Sequence, residues 1–240
     1  MKKWIKRAAI VLGCLVLLAL GAGLIAHESR PSTGETGPAA DALARRVLEA
    51  TGDAHWQSQQ AVRWTFAGRH EHLWDRQRGY IRTTYGSVEA LMRMDGSGIA
   101  TKDGVRSAEA LHEAFGRFIN DSFWLHPFGK AFDPGVTRSV LQREGKDVLF
   151  IEFSSGGRTP GDAYAIETDA SGLPTRWQMW VQVLPIGGLG CTWAGWETLD
   201  GGARVSTLHE TSLVDLRLSD VRAGTLESLT GGEDPFAELH

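Results

Sequence analysis

Residues 113–135 read EAFGRFINDSFWLHPFGKAFDPG, the one stretch of the chain in which Phe115, Phe118, Phe123, Trp124, Phe128 and Phe132 crowd together. Upstream of its middle, Leu111, Ala114, Phe115, Phe118, Ile119 and Ser122 recur at intervals of three and four, the single apolar stripe of an amphipathic helix. Ser107 stands at the N-cap position. Ala110 occupies the place where a capping box wants Glu, so the cap is half formed. Pro127 disfavours helical geometry at His126 and ends the helix near there. The segment from Pro127 to Pro134 is then an aromatic flap outside regular helix. A helix and flap this apolar need a large apolar surface to lie on.

The flanking sequence supplies strands. Val62, Trp64 and Phe66 alternate with Arg63, Thr65 and Ala67, the period of a half-buried strand. His70–Asp75, Tyr80–Tyr85, Ala90–Met94 and Ile99–Lys102 follow, with a hairpin signal at Asp95-Gly96. Beyond Gly135 the pattern resumes in Val136–Gln142, Val148–Phe153, Asp162–Thr168, Leu173–Leu184 with Trp177 and Met179 on one face, Cys191–Thr198, Arg204–Thr211 and Leu213–Asp220. Gly187–Gly190 reads as a soft loop. Before the first strand, Pro38 at a first helical position opens a helix that Gly52 stops. Successive strands are joined by short turns, and no helix alternates with them, which excludes a parallel βαβ sheet. The expected fold is α+β: a curved antiparallel β half-barrel of about ten or eleven strands, with an N-terminal helix and an inserted helix and aromatic lid on its concave side.

Four organisational segments are expected. Residues 1–26 read as a signal or membrane anchor: MKKWIKR is basic, and Ala8–Ala26 carries no charge over a span just long enough to cross a bilayer. An uncleaved anchor, a cleaved signal and a lipoprotein signal at Cys14 are the alternatives. Each leaves the basic end inside and exports the body. Residues 27–38 form a polar linker, residues 39–222 the half-barrel, and residues 223–240 an acidic tail that frays from Thr230. With Lys2, Lys3, Lys6 and Arg7 set aside, 21 basic residues face 29 acidic ones, a net charge of −8 on the body. Such a body, with no basic block, excludes nucleic acid as a partner. Cys191 stands alone in it, so it forms no disulfide within the body.

Phe118-Ile119-Asn120-Asp121-Ser122-Phe123-Trp124-Leu125, followed by Pro127-Phe128 and Phe132-Asp133-Pro134-Gly135-Val136-Thr137, resembles a motif of bacterial exported proteins of the LolA/LolB-like outer-membrane lipoprotein-sorting superfamily. The resemblance covers about Ala39 to Asp220. It implies an apolar cavity for an acyl chain between the concave face and the helices, lined or closed by Trp64, Phe66, Trp74, Phe115, Phe118, Phe123, Trp124, Phe128, Trp177 and Trp193. The partners it implies are a lipid or lipoprotein acyl chain and, through the N-terminal helix, a membrane. The implied place is the bacterial envelope: the inner membrane facing the periplasm, or the periplasm itself after cleavage. LolA is soluble and LolB carries a lipobox, whereas this chain keeps a membrane-length apolar segment.

Catalytic readings are weaker. His70 and His72 share one face of a strand at a spacing metals use, with His112, His126, His209 or Asp75 as further candidates. The ordinary alternative puts both histidines on the outer, solvated face of the sheet. Ser122 lacks a nucleophile elbow, and Asn120 and Asp121 fit better as hydrogen-bonding anchors of the flap. The Gly-rich run at 156–161 joins two strands and so lacks the helix N-terminus that a phosphate loop needs. Arg158 within it is a candidate for a lipid headgroup. No cofactor motif is present, and the chain reads as a binding protein, with a filled-core interaction module and a metal-dependent hydrolase as the other readings.

Overall fold

The structure is a computed structural model that describes residues 27–155 and 160–239. The anchor reading of residues 1–26 and the headgroup reading of Arg158 lie outside the described residues. Among the described residues, no helix is long and apolar enough to cross a membrane.

The fold is α+β and every strand pairing is antiparallel. Helices α1 (Pro38–Thr51) and α2 (Asp53–Gln57) precede strands β1 (Ala61–Phe66), β2 (His70–Asp75), β3 (Tyr80–Tyr85), β4 (Val88–Arg93), β5 (Gly98–Lys102) and β6 (Val105–Arg106). Helix α3 (Ala108–Phe123) and a 3₁₀ turn (Pro127–Lys130) lead to β7 (Val136–Arg143), β8 (Lys146–Phe153), β9 (Ala163–Thr168) and β10 (Pro174–Trp180). Strands β11 (Leu189–Thr192), β12 (Ala194–Thr198), β13 (Arg204–Glu210) and β14 (Asp215–Gly224) follow, then the short helix α4 (Leu226–Thr230).

One sheet runs β12-β13-β14-β1-β2-β3-β4-β5-β6 and the other β11-β10-β9-β8-β7. They are joined where β11 passes into β12 through Trp193, whose N–H donates to Thr175 O at 2.8 Å, and by a bridge between Cys191 and Thr211. The result is one curved wall with β6 and β7 as its outermost strands. Helix α3 and the 3₁₀ turn connect those strands across the concave side. Among the described residues the wall has fourteen strands rather than ten or eleven. The two-residue β6 is too short to show a period, and the step from β11 to β12 reads in sequence as one strand.

Two apolar cores lie on the concave side. Trp64, Phe66, Ile81, Met92 and Phe118 belong to one, under α3; Val47, Phe128, Ile151, Trp177 and Trp193 belong to the other, under α1 and the flap. Both helix starts follow the sequence: Pro38 opens α1, Gly52 ends it in the left-handed region at φ 69°, and Ser107 Oγ accepts from Ala110 N.

Three expectations change. Residues 27–35 are not a free tether: Arg30 and Thr33 bind the Glu152 carboxylate, and Glu35 exchanges backbone hydrogen bonds with Val140 at 3.1 and 2.8 Å, covering the edge of β7. The chain end does not fray, because Phe236 and Leu239 are buried against Leu73 and Leu91 on the convex face, and Arg78 pairs with Asp234. Isolated apolar residues in an acidic stretch give no periodic signal of this. Strand β10 stops at Trp180 rather than Leu184, where Gly188 N closes a loop on Met179 O.

Candidate functional site

The helix over the wall is fastened by a polar cluster. Period-two alternation on β2 turns His70, His72 and Trp74 toward α3, while Leu73 faces the convex side. His72 is therefore buried on the inner face, at 1% exposure, instead of sitting on a solvated outer one. Ala110, Ala114, Phe118 and Asp121 are among the buried residues of α3, so Asp121 is on the inward stripe and Ser122 beside it. Asp121 Oδ2 lies 2.7 Å from His70 Nδ1 and 2.9 Å from His72 Nε2. Asn120 Nδ2 donates to the other oxygen, Oδ1, at 2.9 Å.

The partners on the two sides of each ring fix where the protons sit. Arg117 has donors only, and its Nη1 is 2.7 Å from His70 Nε2, so that nitrogen accepts and Nδ1–H donates to Asp121. Asp121 only accepts, so His72 Nε2 carries its proton, and His72 Nδ1 accepts from Thr83 Oγ1 at 3.0 Å. Burial holds the His72 imidazole below its usual pKa, in the neutral form this arrangement needs. His70, His72 and Asp121 do have the spacing of a three-ligand metal set, with all three ligand atoms within 4.8 Å of one another. A cation on His70 Nδ1 would require the proton to move to Nε2, against the Arg117 guanidinium. Ligating histidines usually donate that second N–H to an acceptor. The donor set thus fits a hydrogen-bonded latch better than a metal centre.

A second latch holds the flap. His126 Nε2 meets Asp53 Oδ1 at 2.8 Å, its ring stacks on Trp56 at 5.2 Å, and this bond holds the Asp53 carboxyl below the usual range. Gly129 is required beside it, since a Cβ there would stand 2.8 Å from the His126 ring and 2.9 Å from Asp53 Oδ1.

Between the latches lie the aromatic residues. Phe118 meets Trp64 at 6.1 Å and Trp74 at 5.4 Å between ring centroids. Trp124 contacts both cores and reaches Trp177 at 5.4 Å and Trp193 at 6.2 Å; Phe123 stacks on Trp177 at 6.1 Å and Phe128 meets Trp193 at 4.7 Å. Phe66 turns to His70, and Phe115 sits at the periphery over Gly96. The ten aromatic positions thus form one face in two halves that meet at Trp124, with Phe66 and Phe115 at its margin. Tyr164 and His209 belong to it as well, at 4.7 Å from Trp177 and 4.4 Å from Trp193. His209 Nδ1 faces Thr192 O, and burial lowers its pKa to about 4. Among the described residues, the buried indole N–H groups of Trp64, Trp74 and Trp193 meet no acceptor.

Of the proposed third ligands, none reaches the histidine pair. His112 is exposed, His126 serves Asp53, His209 lies under Trp193, and Asp75 caps the turn after β2 through Gln77 N and Arg78 N. Asp121 was the missing partner, and its position three residues after Phe118 was the available signal.

No protein-family model matches the chain, and no curated protein does. Among solved structures it is similar to a DUF1329 family protein from Desulfovibrio piger, at 11% identity and a TM-score of 0.42, over 79% of this chain and 95% of that one. A likeness that faint leaves function to the chain's own residues.

Proposed function

We propose that this chain is a membrane-tethered binding protein of the cell envelope, LolA/LolB-like in kind, that takes a lipid acyl chain between helix α3 with its flap and the concave wall. The observation that carries this reading is the continuous aromatic face closed by the two latches, with the buried indole donors of Trp64, Trp74 and Trp193 meeting no acceptor among the described residues. Buried polar groups without partners are uncommon in folded proteins, and a carboxylate or ester oxygen entering with an acyl chain would satisfy them. Burial of each methylene contributes about 0.8 kcal/mol, so a long chain can be held with no catalytic group. In this reading the rings part to admit the chain, and the latches are what yields or holds.

The reading is tested by photo-crosslinking the full chain with a diazirine fatty acid and mapping the labelled peptides. Labelling of peptides spanning residues 118–128 and 189–196 supports it; labelling confined to residues 8–26 contradicts it. One observation favours a second reading. The rings contact one another closely, Trp177 and Trp193 at 4.7 Å, as in a core that fills itself. The flap, with Phe132 at 37% exposure between Arg45 and Arg138, would then be a protein-docking surface.

A further inference from the structure

Loops 181–190 and 211–214 carry no charged residue, as does the run from Ala8 to Ala26. Of the six large apolar residues exposed among the described residues, three sit on these two loops: Val183 at 72%, Leu213 at 68% and Val214 at 66%. The loops are neighbours. Loop 181–190 runs from the end of β10 into β11, and the bridge from Cys191 to Thr211 sets β11 beside the turn that holds Leu213 and Val214. That turn is fixed by Thr211 Oγ1, which accepts from Leu213 N and Val214 N. The apolar side chains are thus held outward on built turns.

The chain also enters the domain at this spot. Glu28 N donates to Gly187 O at 2.9 Å, Gly187 N donates to His27 Nδ1 at 3.1 Å, and Trp180 Nε1 donates to Glu28 O at 2.8 Å. Glu28 Oε2 accepts from Gln178 as well. His27 directly follows the uncharged run in sequence, so no residue separates that run from the point where the chain meets loop 181–190.

We infer that loops 181–190 and 211–214 form the membrane-facing rim of the domain, with Val183, Leu213 and Val214 seated in the interfacial layer of the bilayer that holds residues 8–26. This rests on the anchor part of the proposed function and adds the orientation of the domain. The turn at Glu144-Gly145 lies at the start of β8, whereas the Phe153 end of β8 meets Ala163, Trp180 and Leu189 at the rim end of the sheet. Neighbouring uncharged loops that expose aliphatic side chains together suit the interfacial layer of a bilayer better than water.

The test uses the full chain in phosphatidylcholine vesicles, with Cys14→Ala and an environment-sensitive nitrobenzoxadiazole label at Val183→Cys, Val214→Cys or Glu144→Cys. Cys191 is buried and stays in place. Blue-shifted emission quenched several-fold by spin-labelled lipid at 183 and 214, but not at 144, is the expected result. Unquenched labels at 183 and 214 on protein that resists alkaline extraction overturn the rim while leaving the anchor standing. Extraction by alkali together with unquenched labels overturns both. A blue shift without lipid quenching means that a protein surface, a second copy or a partner, covers the loops, and it overturns the bilayer as occupant.

Discussion

Asp121 on helix α3 and His72 on strand β2 stand 2.9 Å apart, Oδ2 to Nε2, and the same oxygen takes a second hydrogen bond from His70. One carboxylate oxygen of the lid thus holds two histidines of the wall, in a place where His72 and Asp121 are each at 1% exposure. Replacing Asp121 by Ala leaves two ring N–H groups without an acceptor, a loss on the order of 3 kcal/mol. The thermal midpoint of Asp121→Ala should fall by roughly 6–12 °C in a domain of this size. A fall of no more than a degree or two would mean that the latch holds nothing.

The same proton order makes a statement about metals. Arg117 keeps the lone pair of His70 on Nε2, away from the cluster, so wild type should bind zinc weakly in calorimetric titration. Arg117→Ala frees His70 to place its proton outward, and the expected outcome is at least tenfold tighter zinc binding. Tighter binding by wild type than by the variant would refute the proton assignment.

His209 provides a pH dependence. Its ordinary pKa is 6.5 and burial lowers the folded value to about 4. Between those values the unfolded chain takes up a proton that the folded chain refuses. Stability is therefore full above pH 6.5 and falls as pH drops towards 4, by roughly 3 kcal/mol at the limit. His72 is shifted in the same direction by burial and adds to the slope. Urea unfolding from pH 7.5 to 4.5 should show this decline, with a shallower slope in His209→Gln. An unchanged slope in that variant would assign the decline to other groups.

The end of the chain is structural. Phe236 is fully buried and packs on Tyr80 at 5.7 Å, so Phe236→Ala should cost about 3 kcal/mol. A change within 0.5 kcal/mol, the usual size for an exposed tail residue, would contradict this.

The wall was legible because its strands keep period two: Val62, Trp64 and Phe66 announce a buried face, and Asp95-Gly96 announces a turn. Helix α3 was legible from its stripe, though the stripe read from Leu111 to Ser122 is rotated from the one that is buried, which ends at Asp121. That rotation is why the partner of the two histidines was overlooked. Aromatic residues on the lid pulled the reading toward Phe115, which lies at the margin, whereas His209 reaches the interior only through the crossing of β11 into β12. Pairings of that kind depend on where two distant strands meet, and no local period records them. The binding of residues 27–35 to Glu152 and Val140 is invisible for the same reason.

Whether the aromatic interior admits an acyl chain is tested most directly by quenching its own tryptophans. In a Trp4→Phe background every remaining tryptophan lies among the described residues. Titration of that full chain with 12-bromostearate should quench its emission and saturate near one fatty acid per chain, with the quenching cut by at least half in Trp124→Phe/Trp193→Phe. Quenching that never saturates, or none at all, would contradict the account and leave the rings as a core closed to ligands.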